Sequence, residues 1–179
     1  SYLLVSSLTL LAWNSRFHAS IKGFAIPSLL AMLAFGFMWV HYLASYLKTN
    51  YQPDLDTSRS TKLTQIFVLA AIIAHPIVIV SYIHRTGYGL PPASFKGFFG
   101  LTGELFVILG SISLLAFLLF EFKKYFQKRP KLWSAVLKFN DVAMILIIIH
   151  GFKLGFVINS TWFKYVWLSY GLSLLYFFY

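Results

Sequence analysis

The sequence predicts an all-α integral membrane protein, a bundle of six transmembrane helices forming one domain over residues 1–179. Three observations carry that expectation. Of the 179 residues, 59% are hydrophobic and only 11% charged, against roughly 25% charged in a soluble domain, so the chain has too few charges to coat a globule. Apolar runs of about 18 residues or more recur, each long enough to cross a hydrocarbon core of ~30 Å. These runs are apolar on every face instead of alternating, which excludes a membrane β-barrel.

The net charge of +10 does not point to nucleic acid. The basic residues lie between the apolar runs and not along one face, a distribution that fits membrane topology and anionic lipid headgroups. With no cysteine in the chain, disulfides, iron–sulfur clusters and thiolate metal sites are excluded.

The first run, 2–13, is short for a span. It reads as the visible end of a helix whose start lies outside the sequence, and less well as a signal-peptide core, because no cationic segment precedes it. A polar connector, 14–23, leads to a second helix over 24–47, with Pro27 near its start where proline is tolerated. The most polar stretch, 50–59, reads as an aqueous loop. A third helix covers 61–83. The glycines and prolines of 85–97 mark a loop before a fourth helix over 98–122. A basic loop, 123–131, precedes a fifth helix over 132–158. A turn at Asn159-Ser160-Thr161 then introduces a sixth over 162–179.

Lys/Arg counts orient the bundle. Nine lie after or beside the ends of the second and fourth helices: Lys48, Arg59, Lys62, Lys123, Lys124, Lys128, Arg129, Lys131 and Lys138. Six lie at the opposite ends, Arg16, Lys22, Arg85, Lys96, Lys153 and Lys164. Both chain termini are therefore expected in the cytoplasm.

Two histidines interrupt the apolar runs, His75 in Ala70-Ala71-Ile72-Ile73-Ala74-His75-Pro76 and His150 in Ile147-Ile148-Ile149-His150-Gly151. An ionisable side chain at such depth is costly unless it is paired or used. His75 stands about 14 residues, or ~21 Å of helix, from the cytoplasmic entry, and His150 somewhat deeper. Both heights fall in the outer half of the membrane. Two neutral imidazoles from separate helices can ligate one haem iron from opposite faces. Ala70, Ala71 and Ala74, and on the other helix Gly151 and Gly155, leave room for a flat macrocycle. The competing reading makes each histidine a packing or interhelical hydrogen-bonding residue.

Leu55-Asp56 through Thr61-Lys62 to Ala74-His75-Pro76, followed by Trp133 and Ile149-His150-Gly151, resembles the ferric reductase-like transmembrane domain. That superfamily takes in NADPH oxidases, ferric reductases and single-haem metalloreductases. The resemblance covers about 24–179 and implies six helices with haem-ligating histidines on the third and fifth. Two-haem members carry a second, inner pair of histidines. Here those positions hold Thr61 and Leu137, so the resemblance implies a single haem b in the outer leaflet, with His75 and His150 as its axial ligands.

His84 and Arg85 are candidates for contacts to haem propionates or to a substrate chelate, with a plain interfacial anchor as the other reading. His41, flanked by Trp39 and Tyr42 in the inner half, is a candidate contact for an inner-leaflet redox group, a quinone or flavin, and otherwise a hydrogen-bonded or an interfacial histidine. His18 lies in a loop and carries no signal. The resemblance implies transmembrane electron transfer, with FAD or a quinone supplied through a partner. The chain has no G-x-G-x-x-G phosphate loop, so a cytoplasmic flavin/NAD(P)H dehydrogenase is expected to be a separate subunit, a part not included in this sequence, or absent. The alternative expectation is a non-redox helical-bundle transporter or assembly subunit whose histidines bind protons or metal cations.

Overall fold

The computed structural model describes residues 2–54 and 58–178. Leu55, Asp56 and Thr57, in the middle of the expected 50–59 loop and at the start of the family-like stretch, lie outside the described residues, as do Ser1 and Tyr179. All regular structure among the described residues is helical: α1 Tyr2–Phe17, α2 Ala25–Asn50, α3 Ser58–Ile83, a π-helical turn His84–Tyr88, α4 Ala93–Glu121, α5 Lys123–Phe126, α6 Pro130–Leu154, α7 Phe156–Ser160 and α8 Phe163–Phe178.

Four of these helices are long and apolar enough to cross a membrane: α2, α3 with its π-helical extension, α4 and α6. Their outer surfaces bear this out. On α4, Leu101, Leu105, Ile108, Ile112 and Leu115 form an exposed apolar stripe at alternating steps of four and three residues. A helix apolar on its exposed face as well as its packed face belongs in lipid. The helices α1 and α8 have 16 residues each, about 24 Å at 1.5 Å per residue.

Several boundaries differ from the sequence expectation, each for a backbone reason. The first helix runs on past Trp13 to Phe17, and the chain then reverses through left-handed His18 and Ala19 (φ 47° and 60°). The fourth helix starts at Ala93, not 98, but is broken at Gly100 (φ 73°, ψ 173°), a conformation essentially reserved for glycine. The expected fifth helix, 132–158, is not continuous: α6 ends at Leu154, Gly155 turns extended (φ −72°, ψ 99°) and α7 follows. The extension of α3 closes at left-handed Gly87 (φ 92°), the usual helix-ending role of glycine.

The chain divides into two compact units. The first, residues 1–82 with 156–179, holds α1, α2, α3, α7 and α8. Here α1 and α2 approach closely: a Cβ on Gly36 would stand 2.5 Å from Val5 Cγ1, and Trp13 Nε1 donates to the Ala25 carbonyl at 2.7 Å. Rings join α2 to α8, with Phe35 against Trp167 (4.3 Å between centroids), Trp39 against Tyr170 (4.6 Å) and Tyr46 against Phe177 (5.0 Å). Trp39 Nε1 also donates to Ser173 Oγ at 2.7 Å.

The second unit, residues 83–155, is built on α4 and α6. Gly103, Ser113, Ala116 and Phe117 are buried on α4, and Val136, Asn140, Ala143, Met144, Ile148 and Gly151 on α6. Small residues at a helix contact let backbones approach, which is how membrane helices pack without a hydrophobic drive between them. Ser113 Oγ reaches the carbonyls of Leu109 (3.0 Å) and, across the contact, Ala143 (3.1 Å).

Candidate functional site

His75 lies in the second half of α3, next to Pro76. Pro76 has no N–H to give the Ile72 carbonyl, so the helix is weakened there. His75 Nδ1 lies 2.9 Å from the Pro27 carbonyl on α2. A carbonyl oxygen only accepts, so Nδ1 carries the hydrogen, and in the neutral ring Nε2 carries the lone pair. That tautomer is the one an Nε2 metal ligand needs.

His150, near the end of α6, repeats the arrangement in the other unit. Its Nδ1 donates to the Phe106 carbonyl on α4 at 2.7 Å, which again leaves the lone pair on Nε2. The ring lies against Gly110: a Cβ there would stand 2.6 Å from Nδ1 and 2.7 Å from Cε1. This contact explains the acceptor. In an α-helix the carbonyl of residue i already binds the N–H of i+4, and the side chain at i+4 tends to shield its second lone pair. Behind Phe106 that residue is Gly110, and behind Pro27 it is Ala31. Both histidines therefore dock on a helix carbonyl whose i+4 neighbour is glycine or alanine.

His41 is held differently. Its Nε2 lies 2.7 Å from Thr64 Oγ1, and the same hydroxyl lies 2.8 Å from the Ser60 carbonyl. With the single hydroxyl hydrogen directed to that carbonyl, His41 Nε2–H is the donor and ties α2 to α3. Tyr2 stands edge-on to the imidazole at 6.0 Å. His84 and Arg85 are both exposed on the π-helical turn, in the same unit as His150. His75 and His41 share the first unit. His18 is exposed in the turn after α1.

Each imidazole, by its tautomer, could serve as one axial ligand of a haem. A porphyrin supplies four nitrogens of its own and asks the protein for one or two imidazoles, whereas a bare zinc or calcium ion takes four or more ligands. Among the described residues no three histidine, aspartate or glutamate side chains gather to hold an ion. Sequence reasoning located both histidines but not Gly110, Thr64 or the two carbonyls. Acceptance by a main-chain oxygen leaves no mark on residue identity, although Gly103 and Gly110, seven apart, were a readable sign of a close helix contact. No protein-family model, characterised protein or solved structure matches the chain.

Proposed function

We propose that the chain is the membrane electron-transfer subunit or domain of an oxidoreductase and binds one b-type haem through His75 and His150, as the ferric reductase-like domains it resembles do. The observation that supports this reading most is the matched tethering of the two imidazoles, each by Nδ1–H on a main-chain carbonyl. Ligating histidines characteristically have such an outer partner, which fixes the ring and raises the basicity of Nε2.

A haem with two imidazole ligands carries one electron at a time between its ferric and ferrous states. The chain's own residues hold that group. The Pro27 and Phe106 carbonyls would set the ligand tautomers. Arg85 and His84 are assigned to the propionates, and His41 braces α2 against α3. In this reading α1 and α8 also cross the bilayer, giving six spans with both termini cytoplasmic. The electron donor in this reading is a flavin/NAD(P)H-dependent module or a quinol on the cytoplasmic side.

The test is an absorption spectrum of the purified full chain, oxidised and then reduced with dithionite. The expected result is a Soret band and a sharp reduced α band, with His75→Ala and His150→Ala each losing the low-spin signature while His41→Ala keeps it. A colourless chain, expressed with adequate haem supply, overturns the proposal and favours proton- or cation-binding histidines.

A further inference from the structure

The segment joining α4 to α6 carries five cations in nine residues: Lys123, Lys124, Lys128, Arg129 and Lys131. No acidic residue lies between the first and the last of them. Lys124, Lys128, Arg129 and Lys131 are exposed. The same short segment exposes rings, Phe122 at 55% and Tyr125 at 75% of their surface. It follows one span, ending at Glu121, and precedes the next, starting at Pro130, so it lies where hydrocarbon gives way to water.

We propose that residues 122–131 form a binding site for anionic phospholipid headgroups. Basic side chains clustered directly at the end of a membrane span attract anionic lipid. Tyr125, with one apolar and one polar end, settles at the headgroup level, and Phe122 beside it offers an apolar ring to the acyl chains below. An acidic protein partner would satisfy the cations but would leave Phe122 and Tyr125 without an apolar phase. A lipid surface accommodates both at once. The site also selects a leaflet, because it is most stable facing the more anionic one. None of this depends on the redox reading.

The cysteine-free sequence makes the test direct. Gln127→Cys, exposed in the middle of the segment, carries a fluorophore in the full chain reconstituted into nanodiscs. Quenching is compared between phosphatidylglycerol and phosphatidylcholine spin-labelled at the headgroup. The expected result is phosphatidylglycerol enriched about threefold or more around the label over its bulk fraction, and most of the enrichment lost in high salt. Replacing the five cations by glutamine removes the enrichment while helical content and thermal transition stay as in the parent. Bulk-like composition around the label, or enrichment that survives the five-fold replacement, overturns the proposal. So does a soluble acidic peptide that binds the segment without any lipid preference.

Discussion

An imidazole has two ring nitrogens, and whatever holds one of them decides what the other can do. His75 and His150 are both held at Nδ1 by a helix carbonyl, whereas His41 is held at Nε2 by a threonine hydroxyl. Three histidines in apolar helices thus separate into two kinds. Gly110 belongs to the first kind's support, because its missing Cβ is the space His150 occupies. Gly110→Ala is expected to push the ring off the Phe106 carbonyl at a cost of about 1–3 kcal/mol in stability, the usual range for overpacking. In the haem-bound chain it should also shift the reduced α band, which a remote packing change would leave alone. An unchanged melting transition together with an unchanged spectrum would remove Gly110 from this role. At this scale the sequence was half legible. A histidine within an apolar run announces itself, but the carbonyl it binds belongs to Pro27 or Phe106 only by position.

At the scale of elements, the two units are built by different means. Small residues bring α4 and α6 together, with Ser113 bridging to the Ala143 carbonyl. Tilted and stacked rings and the Trp39–Ser173 hydrogen bond join α2 to α8. Ser173→Ala leaves the indole N–H of Trp39 without its acceptor. Because polar groups also find partners in a membrane-unfolded state, the loss should be about 0.6–1.7 kcal/mol. Unfolding of the variant in mixed micelles, set beside Trp39→Phe and the double variant, measures the coupling. Additive losses from the two single changes would show that the bond contributes nothing. The long helices were legible because hydropathy and length suffice to find them. Their interruptions were not. Gly100 and Gly155 break helices while glycines such as Gly36, Gly103, Gly110 and Gly151 lie inside them, and only tertiary packing separates the two cases.

For the whole molecule, composition alone pointed to the membrane class, and the four long apolar helices and the exposed Leu and Ile stripe of α4 agree with it. The six-span count and the sidedness belong to the proposed function. Leu90 and Gln127 flank α4, so cysteines placed at these two positions in separate variants should be labelled from opposite sides of intact cells, Gln127 from the cytoplasmic side. Labelling of both from one side would contradict α4 as a span. The central claim, that His75 and His150 ligate one iron, is tested most directly by electron paramagnetic resonance of the oxidised chain grown with 15N-histidine. The account predicts one low-spin haem per chain with hyperfine coupling to two imidazole nitrogens, reduced to one in either His75→Ala or His150→Ala. A chain without haem, or a two-imidazole signature that survives either substitution, would contradict it.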